Sequence, residues 1–265
     1  MSLQLTDTLY AALALYTLGT LAAFVSLFVR EKRLQYSGLL FMGAGWVAQT
    51  IWIGTICART GHPPITNLAE VLSFVAWVAY AVELGLWIRY RVYAASFFVY
   101  PLVLLLLTVS AVVGENIAPL DPELRSNVFT LHLLMSTVGV ACLLIGLAFG
   151  LLAAVQDRAL KTKRPGRLWD WIPSLSVCRT LSFRALAIGF SIYSIGLIAG
   201  VLWSYRTTAG LIELRVKQIG AVTAWVLVAI LLQSYVSNTY SQKRMLVVGA
   251  FAFVAILVAM MGIRL

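Results

Sequence analysis

A chain of 265 residues that is 61% hydrophobic and only 11% charged carries more apolar surface than one water-soluble domain can bury. Its formal net charge of +10 at pH 7 would suit nucleic acid, but the basic residues sit in loop-sized clusters with no soluble domain to present them. Three cysteines without CxxC spacing argue against a zinc or disulfide framework, which leaves the bilayer as the main solvent.

Lipid offers no partner to backbone N–H and C=O groups, so each crossing needs about 20 apolar residues that bond internally as a helix. Eight such stretches run along the chain, over 9–29, 37–57, 69–88, 94–113, 128–155, 185–205, 218–238 and 245–263. The leading MSLQLTDT has no basic run, and no small-residue cleavage site follows the first stretch, so that stretch is expected to remain as helix one. The expected fold is all-α: a polytopic membrane helix bundle of about eight transmembrane helices, one domain over residues 1–265 with a cytoplasmic basic loop at about 156–184.

Lysine and arginine in short loops are retained on the cytoplasmic side. With the amino terminus outside, the outer loops hold six of the 20 basic residues, Arg59, Arg125, Arg206, Arg215, Lys217 and Arg264. The other fourteen, clustered at 30–33, 89–91, 158–184 and 243–244, fall inside. Both termini are therefore expected outside, in a bacterial inner membrane. The segment 156–184 is too polar to span, and a short surface helix is expected within it, with Trp169 and Trp171 beside Pro173 at headgroup level. Helices five and six carry Gly146-Leu-Ala-Phe-Gly150 and Gly196-Leu-Ile-Ala-Gly200, a small-xxx-small spacing that lets two backbones approach in lipid.

Chemistry-bearing residues are few. The two histidines, His62 and His132, fall at the same expected membrane edge, where a neutral imidazole can ligate haem iron; a merely hydrogen-bonded side chain is the plainer alternative. Glu70 stands three residues after Asn67, the spacing of a reciprocal helix cap. Glu83 lies inside helix three, where an ionisable group is costly; snorkelling towards Arg89 competes with a functional role. Trp46, Trp52, Trp77, Trp87, Trp203 and Trp225 read as near helix ends or interfaces, and Asn67, Glu70, Phe74 and Trp77 share one face of helix three. The outer segment 205–217, with Arg206, Glu213, Arg215 and Lys217, could meet the carboxylates of an anionic ligand. No GxxxxGK[ST], hydrolase elbow or HExxH appears.

The run Gly61-His62-Pro63-Pro64-Ile65-Thr66-Asn67-Leu68-Ala69-Glu70, continued by Phe74 to Trp77, resembles the G-H-x-P-[LI]-[ST]-N-x-x-E pattern of the cytochrome c assembly family of CcsA-like and HemX-like membrane proteins. Ile172-Pro173-Ser174-Leu175, Leu181 to Ala185, Ile188-Gly189-Phe190 and Gly196 to Trp203 resemble that family's approach to its tryptophan-rich haem signature. The likeness covers about residues 60–263. It implies that His132 occupies the place of the outer histidine before that signature, with His62, Trp203 and Trp225 as the remaining cofactor-binding candidates and the two histidines as haem-iron ligands.

Departures are equally specific. Where the family has a run like WGxYWxWDxKExW, this chain has TAGLIELRVKQIG from Thr208 to Gly220; Gln233 stands in place of a membrane histidine, and the chain ends at Leu265 before a last outer histidine. The resemblance thus implies a non-enzymatic membrane component of cytochrome c biogenesis or haem handling. Haem is its implied cofactor, and membrane lipid, haem and a cytochrome c maturation or tetrapyrrole-synthesis protein are its implied partners, with no nucleic acid. A scaffold or regulator of haem biosynthesis that binds no haem, and a small-solute transporter using Glu83, are the alternatives.

Overall fold

A computed structural model describes residues 3–29, 31–64, 67–91, 93, 95–114, 126–163, 173–207, 216–237 and 241–261. Eight helices are found among them: α1 (Leu3–Val29), α2 (Lys32–Thr60), α3 (Leu68–Tyr90), α4 (Ser96–Val113), α5 (Asn127–Thr162), α6 (Leu175–Thr207), α7 (Val216–Ser237) and α8 (Gln242–Met261). All eight are long and apolar enough to cross a membrane. The all-α bundle expected from hydropathy is the fold observed. Trp169, Trp171 and the altered segment at 208–215 lie outside the described residues.

Two differences in helix limits have a common cause. Helix α5 continues to Thr162 and α6 begins at Leu175, so both run well into the segment expected as a polar loop. Hydropathy marks where a helix leaves lipid, not where it stops. Past the hydrocarbon the backbone keeps bonding internally, and a Lys161 to Asp157 ion pair one turn apart, at 2.6 Å, decorates the exposed extension of α5.

Contacts group α1–α4 into one compact unit and α5–α8 into another. In the first, α1 packs on α2 and α4, and α3 on α2 and α4, which closes a ring of four helices. Its interior is unusually polar. Gln49 is fully buried; it accepts from the Tyr16 hydroxyl at 2.7 Å and donates to the Ser73 carbonyl at 2.8 Å and the Ser73 hydroxyl at 2.9 Å. Trp46 and Trp77 stack at 5.2 Å, with Trp46 donating to the Trp77 carbonyl and Trp77 to the Thr50 hydroxyl. These two lie near the middle of their helices and not near the ends, while Trp52 is buried.

In the second unit α5 packs on α6 and α8, and α7 on α6 and α8, again a ring of four. The α5–α6 seam is built on small residues. A methyl placed on Gly139 would stand 2.7 Å from the Tyr193 backbone nitrogen, one on Gly189 2.9 Å from that of Leu143, and one on Gly146 2.9 Å from that of Leu186. Each step forward along α5 is matched by an equal step back along α6, from His132 opposite Gly200 to Gly150 opposite Ser182. That antiparallel register holds for about five turns, or about 27 Å, close to the thickness of the hydrocarbon core. Between lipid-facing helices there is no hydrophobic drive, so this close approach and its dispersion contacts hold the pair.

Candidate functional site

His132 lies in the second turn of α5, which begins after the Ser126 cap; the Ser126 hydroxyl accepts from the Val128 amide at 3.3 Å. Gly200 on α6 makes room for the ring, since a methyl there would come within 2.7 Å of imidazole Cε1 and Nδ1. Nδ1 is 2.7 Å from the Gly196 carbonyl and 3.3 Å from the Ser136 hydroxyl one turn along α5. A carbonyl can only accept, so Nδ1 carries the proton and donates. The neutral ring therefore keeps its lone pair on Nε2, the state in which imidazole ligates iron.

Aromatic surface adjoins this imidazole. Phe129, one turn before His132, packs on Trp203, one turn after Gly200, with centroids 4.8 Å apart at 44°. Of the cofactor candidates, His132 and Trp203 are thus brought to one end of the α5–α6 pair. Trp225 is seated elsewhere: its Nε1 donates to the Ser194 hydroxyl at 2.8 Å and its ring stacks on Phe190 at 5.1 Å. Ser194 and Gly196 are two residues apart, about 200° around a helix, so Trp225 packs on a different face of α6 from the one His132 meets. Gln233 is exposed on α7.

His62 belongs to the first unit and is held between two helix caps. Helix α2 ends at Gly61, whose left-handed φ of 71° lets its amide bond back to the Cys57 carbonyl at 2.9 Å. Asn67 caps α3 by accepting from the Glu70 amide at 2.9 Å, the first half of the expected reciprocal cap. Between them Thr60 donates to the His62 carbonyl at 3.0 Å, and His62 Nδ1 donates to the Pro63 carbonyl at 2.9 Å. Its Nε2 is the acceptor nitrogen, shielded from solvent and without a hydrogen-bond partner among the described residues. A buried lone pair left unmatched has no structural value of its own and is the chemistry an axial haem ligand requires.

The sequence reading did not single out Ser136, Phe129 or the Gly196 carbonyl. The signal was present in part: Ser136 follows His132 by one turn, and the Gly196–Gly200 spacing marked a close approach. Nothing in the sequence said which residue would be approached.

Eight apolar helices with an imidazole seated at an aromatic-lined helix end define a multi-pass α-helical membrane protein. The sequence profile of the Cytochrome C assembly protein family matches residues 65–265, and the chain belongs to that family. It is similar to the cytochrome c biogenesis protein CcsA of Guillardia theta, at 24% identity over 97% of this chain and 90% of that protein. It is also similar to the protein HemX of Bacillus subtilis, at 24% identity over 84% of this chain and 80% of the other. CcsA of Synechococcus is 26% identical over 78% of this chain and 76% of its own length. The family expected from the sequence is therefore the family found, and with it a membrane role in cytochrome c biogenesis and haem handling.

Proposed function

We propose that this protein binds haem at the His132 end of α5 and α6 and presents it, on the outer face of a bacterial inner membrane, to a cytochrome c maturation or tetrapyrrole-synthesis partner. The observation that carries the reading is the bond from His132 Nδ1–H to the Gly196 carbonyl, which leaves Nε2 as the nitrogen that would ligate iron. Phe129 and Trp203 supply apolar aromatic surface for a flat ring. When bound, haem would contribute its iron and the vinyl groups to which cytochrome thiols attach; this chain's residues orient it and withhold it from water. His62, the other histidine of the chain, has the same ring state and is proposed as a haem-iron ligand in its own right, on ligand chemistry alone.

The test is the absorption spectrum of protein purified in detergent after expression with abundant haem. A Soret band is expected that falls at least tenfold in His132→Ala and weakens in His62→Ala. A colourless wild-type protein would overturn the reading. A second reading, a scaffold that regulates a haem-pathway partner without binding haem, is favoured by one observation: Gln233, where the family places a histidine, is exposed and bears an amide. It expects a partner to co-purify regardless of His132→Ala.

A further inference from the structure

The first unit contains an acid that the haem reading leaves unused. Glu83 on α3 is 1% exposed, and its Oε1 accepts from the Ser96 hydroxyl at 2.5 Å in the first turn of α4. Its Oε2 is shielded from solvent with no hydrogen-bond partner among the described residues. The hydroxyl of Tyr100, one turn along α4 from Ser96, is also shielded from solvent and makes no well-formed hydrogen bond; it lies within electrostatic reach of Glu83 and close to the Ser96 hydroxyl, and the residue is fully buried. A buried carboxylate oxygen with no partner, within electrostatic reach of a second shielded hydroxyl, is rare, because it forfeits its hydration for nothing.

Among the described residues, the tyrosines and arginines nearest to it are committed elsewhere. The Tyr80 hydroxyl donates to the Leu39 carbonyl at 3.4 Å, and that of Tyr93 to the Gln35 carbonyl at 3.2 Å, both on α2. Tyr16 of α1, whose ring packs on Tyr80 at 6.2 Å, donates to Gln49. The basic residues at the end of α3 turn to rings of their own: the Arg89 guanidinium lies 5.4 Å from the centre of Tyr90, and that of Arg91, just past the helix, 4.6 Å from the centre of Trp87. Glu83 therefore does not reach towards Arg89 as snorkelling would require. Among the described residues the one ion pair is that of Lys161 with Asp157, in the other unit.

We propose that Glu83, Tyr100 and Ser96 form a site for a monovalent cation, proton or alkali ion, that neutralises the buried carboxyl. A carboxylate held in a membrane interior without counter-charge costs several kcal/mol, and one bound cation satisfies Oε2 and the Tyr100 hydroxyl together. The donor set is all hard oxygen, the chemistry of light cations and not of soft metals.

The test is thermal unfolding of the detergent-solubilised full chain in sodium or potassium chloride against choline chloride at constant ionic strength, paired with infrared spectra of wild type, Glu83→Gln and Tyr100→Phe. For an alkali ion, the wild-type midpoint rises by about 3–5 °C per tenfold cation above half-saturation. Glu83→Gln abolishes that rise, and Tyr100→Phe weakens it several-fold. For a proton, the midpoint ignores both salts, and a carboxylic-acid C=O band appears that Glu83→Gln removes and Tyr100→Phe shifts. An ionised-carboxylate signal lost in Glu83→Gln, with no response to either salt, overturns the proposal. Should Glu83→Gln not fold, Tyr100→Phe, which keeps the ring, decides by the same two readouts.

Discussion

The two four-helix units solve the problem of cohesion in lipid by opposite means. In α1–α4 the helices are tied by side chains that reach across: Gln49 joins three helices through Tyr16 and Ser73, Trp46 and Trp77 exchange ring and backbone contacts, and Ser110 donates to the Ala69 carbonyl at 2.7 Å. In α5–α6 side chains are largely removed, and backbones meet at Gly139, Gly146, Gly189 and Gly196. The polar unit tolerates small shifts because a hydrogen bond is broad in angle. The glycine seam does not, because backbone contact is steep in distance. A ligand that must be held at a fixed angle is better served by the second, and His132 stands on it.

Substitutions sharpen that contrast, and the largest effect is expected at the seam. Gly139→Leu forces a side chain against the Tyr193 backbone and should cost about 3 kcal/mol, read as an earlier thermal midpoint together with loss of any Soret band. Gln49→Ala strands the Tyr16 hydroxyl and the Ser73 groups and should cost about 2 kcal/mol while leaving the haem spectrum unchanged, since the network bonds to neither histidine; a spectral loss would show that it positions one of them at a distance. Gly200→Ala is the finer probe, since its methyl meets only imidazole atoms closely, Cε1 and Nδ1 at 2.7 Å. It should displace His132 and weaken haem retention at least tenfold, with a stability change of about 1 kcal/mol. Smallest is Trp225→Phe, which removes one hydrogen bond to Ser194. About 0.6 kcal/mol is expected, and because Trp225 packs on another face of α6, the spectrum should not respond.

How much of this could be read from the sequence divides along the same line. The helices were legible because hydropathy alone governs them, and the Gly146–Gly150 and Gly196–Gly200 pairs announced a tight α5–α6 contact. Partner and register were not legible: that Gly196 faces Ser136 and Gly200 faces His132 depends on how two helices slide past each other, which no local spacing encodes. The direction of Glu83 was ambiguous for a related reason. A helical position close to the next basic residue can either snorkel or turn inward, and here Ser96 on the following helix decides. Trp46 and Trp77 misled because the frequency of tryptophan at interfaces is an average over membrane helices, whereas these two stack on each other near mid-helix.

The matched register of α5 and α6 also sets what kind of change the protein can absorb. Exchanging one side chain at the seam disturbs one contact, but inserting or deleting a single residue between His132 and Gly150 turns everything beyond it by about 100° and shifts it by about 1.5 Å. Every later contact would then face the wrong partner at once. The length of chain between those two residues is thus fixed more tightly than its composition. Lineages carrying this seam should diverge by replacement along it, and gain or lose residues only in the connections beyond its ends.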